Sequence, residues 1–304
     1  MSESRTSTFK VTLLGTGIPD PKPTRFGSST LVEVGDEMLI FDCGRCVLQR
    51  YYETGMPLKD VKNLFLTHLH SDHTVGIPDL WLTPWIFGRW EEPFRVWGPP
   101  GTKIMMEKLE EAFEYDLKIR PVHDLLPTQG SKILVQEIEE GLVYDQKGIR
   151  VTAFNVDHRP VKPSYGYRVD YKGRSLVISG DTRFCENLIR HAKKVDLLVH
   201  NVGAAREEDL RKSERLRKIM TLHSSPEKAG EVFTLSETKF AVYTHLALFG
   251  VRVEEVVRRT RKTYKGPLEV GEDLMSFEIG DEIIVMRHDF AAARTESIDF
   301  DLPL

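Results

Sequence analysis

Thr67-His68-Leu69-His70-Ser71-Asp72-His73 places four side chains of metal-ligand type within six residues, directly after the apolar run Val61 to Leu66. On extended backbone, side chains two apart point to the same side, so His68 and His70 can grip one ion. A helix starting near Asp72, suggested by the stretch Thr74 to Phe87, would turn Asp72 and His73 toward a second ion beside the first. Two ions about 3.5 to 4 Å apart can share a hydroxide and clamp both the attacked centre and the leaving oxygen. Imidazole and carboxylate donors without thiolate suit zinc first, with Mn, Fe or Co compatible.

The same arrangement, a short apolar run ending in a ligand-type residue, recurs along the chain. Met38 to Phe41 precedes Asp42, Val151 to Val156 precedes His158, and Ser175 to Ser179 precedes Asp181. Asp196 to Val199 precedes His200, and Lys239 to Tyr243 precedes His245. With His68 these make six strand ends, and strand ends feeding loops are where a rigid sheet holds chemistry open to a ligand, so one shared site is expected. Two hairpins are also alike, Ser29 to Asp42 turning at Gly35-Asp36 and Tyr165 to Asp181 turning near Lys172-Gly173. Each leads through a helical stretch to another apolar strand, as in two βα halves facing each other. The expectation is an α/β chain, residues 1–304 as one domain with two sheets between helices. Helices are expected over Thr102 to Lys118, from Pro226 behind the cap Ser225 to about Thr234, and over Val251 to Tyr264.

Composition excludes several classes. Forty-two Lys and Arg against 46 Asp and Glu give a net charge of −4, so no global positive field draws in a polyanion. Met1 to Lys10 has no apolar core of a secretory signal, and no run of about 18 apolar residues occurs, which predicts a cytoplasmic protein without membrane spans. Three Cys are too few for a disulfide framework. Cys43 and Cys46 have no second pair to complete a thiolate zinc site and read as small residues at the start of a helix.

The His-rich run, with Phe41-Asp42-Cys43-Gly44 before it and Ser179-Gly180-Asp181-Thr182 after it, resembles the metallo-β-lactamase superfamily. Leu13-Leu14-Gly15-Thr16-Gly17, Phe65-Leu66-Thr67-His68-Leu69-His70, Ser164-Tyr165-Gly166-Tyr167-Arg168 and Leu222-His223-Ser224-Ser225 resemble its ribonuclease Z and arylsulfatase-like branch more narrowly, and coverage runs from about Lys10 to Val285. The resemblance implies a four-layer αββα sandwich with two divalent metal ions at one edge. It puts His68, His70 and His158 on the first ion, Asp72, His73 and His245 on the second, and Asp181 across both. It also implies a catalytic role for Asp72 at the metals, and one for His223 in stabilising the transition state or protonating the leaving oxygen.

Two departures bear on the substrate. Where ribonuclease Z enzymes carry His-Glu-Ala-Thr, this chain reads His200-Asn201-Val202-Gly203, and a neutral Asn cannot raise an imidazole's pKa as a carboxylate does. Enzymes of that group that clamp tRNA carry a long arm, whereas only residues 169–178 separate the Gly-Tyr-Arg strand from the Ser-Gly-Asp-Thr loop here. The extra length lies instead around residues 80–148, a Trp-rich insertion that holds every Trp of the chain. Trp81 and Trp85, four apart on a helix, either pack into the core or form an aromatic wall beside the metals for an aryl group. Arg159 and Lys162 flank His158 and are candidates for holding an anionic substrate, as is Arg183. The basic run Arg258 to Lys265 reads as a solvated helix face or a phosphate-tracking patch.

The expected activity is hydrolysis by metal-bound hydroxide of a phosphodiester or related aryl ester, ribonuclease Z-like or arylsulfatase-like. A β-lactam or lactone hydrolase on the same site and an iron-dependent redox enzyme of the same fold are the alternatives. Small anionic or aryl esters are the expected partners, with RNA admitted but not favoured and a homodimer implied by the resemblance.

Overall fold

The computed structural model describes residues 8–290. Its first half runs β1 (Phe9–Gly15), β2 (Ser29–Val34), β3 (Glu37–Phe41), α1 (Val47–Glu53), β4 (Asn63–Phe65), α2 (Ile77–Phe87), β5 (Phe94–Gly98), α3 (Thr102–Ala112), α4 (Glu114–His123) and β6 (Ile133–Glu137). The second runs β7 (Gly141–Gln146), β8 (Ile149–Asn155), β9 (Tyr165–Tyr171), β10 (Arg174–Ile178), α5 (Glu186–His191), β11 (Leu197–Ala205), α6 (Glu207–Lys212), α7 (Glu214–Met220), α8 (Pro226–Ser236), β12 (Phe240–Phe249), α9 (Val253–Thr260) and β13 (Leu268–Val270). Two closing strands, β14 (Ser276–Ile279) and β15 (Ile283–Met286), return to the first sheet.

The strands form an eight-stranded sheet, β15-β14-β1-β2-β3-β4-β5-β6, and a seven-stranded one, β13-β12-β11-β10-β9-β8-β7. Their central strands are buried on both faces, which is why those stretches are near-continuously apolar. Along β3, Leu39 and Phe41 face the core between the sheets while Met38 and Ile40 face the helices outside. Along β11, Leu197 and Val199 face that same central core while Leu198 points outward to Ala229, Val232 and Phe233 of α8. The period-two alternation thus builds three apolar layers, and the αββα sandwich follows. No helix of the described residues is long and apolar enough to cross a membrane.

Each half repeats one unit. An antiparallel hairpin, β2-β3 or β9-β10, passes through a short helix into a strand, β4 or β11, that lies parallel to the hairpin's second strand. This geometry delivers the ends of β3, β4 and β10 to one edge of the sandwich.

Residues 80–148 are built into the sandwich. β5 pairs parallel with β4, β6 extends that sheet, and β7 opens the second one. Trp81 and Trp85 are both fully buried, their indole N–H groups donating to the carbonyls of Ser131 and Pro127 at 2.8 Å. The aromatic-wall reading of Trp81 and Trp85 is therefore corrected: that face of α2 packs on the outer face of the first sheet. Trp85→Ala is expected to cost roughly 3 to 5 kcal/mol of stability by opening a cavity. Thermal melts should show that loss while KM of the folded enzyme stays unchanged; a selective rise in KM would restore the wall.

Three helix boundaries differ from the sequence expectation. Thr102 to Lys118 is broken at Phe113, whose ring sits edge-on to Trp81, and α4 continues from there to His123. After the turn Ser71–His73, α2 begins only at Ile77, with Pro78 in its first turn. α9 is shorter at both ends, Val253–Thr260.

Candidate metal centre

Asp42 ends β3 in the left-handed region, φ 61°. Its carboxylate accepts from the Thr67 backbone N–H (2.8 Å), the Thr67 hydroxyl (2.9 Å) and His73 Nδ1–H (2.8 Å). Because the Thr67 hydroxyl has one proton and gives it to Asp42, its 2.9 Å contact with His68 Nδ1 is one in which the ring donates. His158 Nδ1–H likewise donates to the Leu222 carbonyl at 3.1 Å. These bonds fix three imidazoles in the tautomer that leaves Nε2 as a lone pair, the arrangement that orients metal-binding histidines. The loop fits only because Gly44 crosses it: a Cβ there would lie 2.6 Å from the Asp72 carbonyl oxygen.

The freed nitrogens converge. His68 Nε2 lies 3.0 Å from His70 Nδ1, which lies 3.4 Å from His158 Nε2. On the other side, Asp72 Oδ2 is 3.2 Å from His245 Nε2 and 3.6 Å from His73 Nε2. Between the two groups sits Asp181, its Oδ2 3.6 Å from His73 Nε2 and 3.8 Å from His158 Nε2, its Oδ1 3.4 Å from His245 Nδ1. Burial favours the protonated form of Asp181, but the imidazoles of His245 and His73 beside it outweigh that and hold the carboxyl well below the usual carboxylate range. His73 Nε2, Asp181 Oδ1 and His245 Nδ1 are buried without a hydrogen-bond partner. Buried polar atoms rarely go unpaired, and lone pairs aimed at common points fit a bound cation. The sets His68–His70–His158 and Asp72–His73–His245 each bring three donor atoms within 4.8 Å of one another, as do His68–His73–Asp181 and Asp181–His223–His245.

His245 reaches this position through a bulge. β12 does not end before it: Thr244 pairs with Asn201 and Leu246 with Val202, leaving His245 as an extra residue at φ 45°. A bulge re-aims one side chain without ending the strand. On the partner strand, the expectation that His200 shares the site is corrected. His200 faces Phe233 on the helix side with Leu198, and alternation brings the next residue, Asn201, to the site instead.

Asn201 is fully buried, and its Oδ1 accepts from the Thr182 backbone N–H at 3.3 Å. That bond sends its amide nitrogen to His223 Nδ1, 3.1 Å away, so Nδ1 is an acceptor and His223 carries its proton on Nε2. Burial, the largest influence, outweighs the pull of Asp181 and pushes His223 down to about 4. Gly203 permits the approach, since a Cβ there would lie 2.8 Å from the His223 Cβ.

Above the donors lies a cavity of about 310 Å³. Its walls are apolar, from Ile18, Pro19, Leu222, Ala247 and Phe249, around the polar floor, as in small-molecule sites generally. Arg159 is exposed, held by Asp157 at 2.6 and 2.8 Å, and lines a neighbouring cleft; Lys162 is exposed and lines neither. Arg183 donates to the Arg159 carbonyl. In the basic run on α9, Arg259 is clamped bidentately by Glu227 at 2.9 Å, with Lys262 nearby at 3.5 Å. The cation at the cavity that the sequence reading missed is Arg215 on α7; the basic stretch Arg215-Leu216-Arg217-Lys218 just before His223 was its only signal.

Known proteins match most of the chain. Residues 9–227 match the family model described as Anti-Pycsar protein Apyc1. Ribonuclease Z of Mycobacterium bovis is 36% identical over 275 residues, covering 89% of this chain and 98% of its own. Human tRNase Z, short form, superposes with a TM-score of 0.64 at 26% identity, over 88% of this chain and 98% of the other. The metallo-β-lactamase fold protein YhfI from Bacillus subtilis gives 0.71 at 17% identity, over 89% and 99%, and carries the fold alone. By both the family model and these relatives, the chain belongs to the Apyc1 family and to the ribonuclease Z branch of the metallo-β-lactamase fold, as a metal-dependent hydrolase of phosphodiester or related ester bonds.

Proposed function

We propose that the protein hydrolyses small phosphodiesters, of about nucleotide size, at a centre for two divalent ions. His68, His70 and His158 would hold one ion and Asp72, His73 and His245 the other, with Asp181 placed to serve both. The observation that carries the reading is the convergence of these donors on the floor of a 310 Å³ apolar-walled cavity. Nitrogen and oxygen donors without thiolate favour zinc. When bound, such ions lower the pKa of water toward neutrality and offset charge on the phosphoryl oxygens.

The chain's own residues do the rest. Asp72 and Asp181 balance the cations, and the bonds from Asp42, Thr67 and the Leu222 carbonyl keep the imidazoles aimed. His223, neutral with its proton on Nε2, donates a hydrogen bond to a phosphoryl or leaving oxygen rather than a full proton. Ile18 and Phe249 shed water and offer a surface for an aryl ring or a base. The joint between β9 and β10 is only Lys172 and Gly173, which supports a compact substrate over one clamped by an arm there.

The test is a side-by-side kcat/KM on an aryl phosphodiester, an aryl sulfate, a β-lactam and a pre-tRNA with zinc-loaded protein. The aryl phosphodiester should lead by at least about tenfold. A lead for pre-tRNA would overturn the small-substrate reading, and a lead for the sulfate would move the activity to the arylsulfatase-like class.

A further inference from the structure

Beside the metal cavity lies a second, larger cleft of about 620 Å³, and the two meet along Arg215, Ile219 and Leu222. The charged side chains that line them differ in sign. The cavity floor holds the carboxylates Asp72 and Asp181, with Asp20 at its wall. The cleft is lined by Arg159, Arg215 and Lys218 with Glu214 as its one acid. Lys218 is paired with Glu214 at 2.9 Å, and Arg159 with Asp157. The Arg215 side chain has no ion pair or hydrogen bond among the described residues. It is exposed and borders both spaces.

Resting on the phosphodiesterase reading, we propose that this cleft is a subsite for a second phosphate of the substrate, adjacent to the scissile diester, with Arg215 as its anchor. A single diester charge is met by the metal centre and needs no guanidinium. A free Arg at the shared wall matches a further anion on the same molecule, because its planar fork binds phosphate oxygens bidentately. Ile219 and Leu222 give the connecting sugar an apolar bed. Two sources share this chemistry, a terminal phosphomonoester on a nucleotide and the next diester of a nucleic-acid strand.

The test compares two substrates with one leaving group: the p-nitrophenyl ester of thymidine 5′-phosphate, and the same ester bearing a 3′-phosphate. With zinc-loaded wild type, KM should be lower for the 3′-phosphorylated ester. Arg215→Ala should raise that KM roughly tenfold to a hundredfold and raise the KM of the unphosphorylated ester by far less. Arg215→Lys should recover part of the difference. Calorimetric binding of thymidine 3′,5′-bisphosphate against thymidine 5′-phosphate reads the same contact without turnover, so it decides the subsite even where neither ester is cleaved and the phosphodiesterase reading has failed. A wild type blind to the second phosphate in both assays, or equal losses on both ligands in Arg215→Ala, would overturn the proposal. A tetranucleotide separates the sources. Loss of its binding in Arg215→Ala places a strand in the cleft, and selective loss of the bisphosphate restricts the subsite to phosphomonoesters.

Discussion

Asp181→Ala is expected to lower turnover by roughly a thousandfold or more and to reduce the metal content of the purified protein. The Asp181 carboxylate lies within 3.9 Å of imidazole nitrogens of His73, His158, His223 and His245, and among the described residues it is the only carboxylate found between the two donor groups. Without it, two neighbouring cations lose the anion that screens their repulsion, and each donor set falls to two histidines with His70 or with Asp72. Asp181→Asn separates charge from shape, since the amide fills the same space and still cannot neutralise a cation. Both variants should fail alike in kcat and in metal stoichiometry by mass spectrometry. Full activity at unchanged metal content in either would remove Asp181 from the centre. The metal-free variant should also differ in stability, because withdrawing one member of a buried charge cluster costs about 3 to 5 kcal/mol.

The donors of this centre were legible to different depths. His68, His70, Asp72 and His73 announce themselves because the spacing is local and needs no tertiary knowledge. His158, Asp181 and His245 stand behind apolar runs, and the structure gathers all three. His200 stands behind an identical run and misses the site. Both faces of β11 are buried, so hydrophobicity does not reveal parity, and only packing against Phe233 shows that Asn201 is the inward residue. The bulge at His245 was equally hidden, since a strand with one extra residue reads like any other strand.

The same limit explains the tryptophans and the cations. A helix stripe such as Trp81 and Trp85 tells that one face is covered, not whether sheet or ligand covers it. On α6 and α7 the residues Arg211, Lys212, Arg215, Arg217 and Lys218 are all positive, and sequence gives no reason to choose one. Arg217 donates to the carbonyl of Leu210 while Arg215 borders the cavity, a difference that arises from how α7 is laid against β11. Local chemistry was readable wherever the chain itself supplied the geometry, and unreadable wherever a second element did.

Asp42→Asn should uncouple metal affinity from catalysis. Asp42 is in none of the donor groups, yet it accepts three hydrogen bonds, two from Thr67 and one from His73. Asn tolerates the left-handed backbone at φ 61° that Asp42 adopts, so the exchange does not add the strain that Ala would. What changes is polarity: one carboxylate oxygen becomes an N–H₂ group facing a donor, either His73 Nδ1–H or the Thr67 hydroxyl. In the first case His73 loses the bond that sets its tautomer; in the second the Thr67 hydroxyl loses its acceptor and the orientation of His68 loosens through it. Supports of this kind are worth about 10- to 100-fold in metal affinity. A chelator competition should show that loss, and kcat should return close to wild type at saturating zinc, which Asp181→Ala cannot do. If excess metal fails to restore Asp42→Asn while its fold is intact, Asp42 acts on the reaction itself and the supporting role assigned to it is wrong.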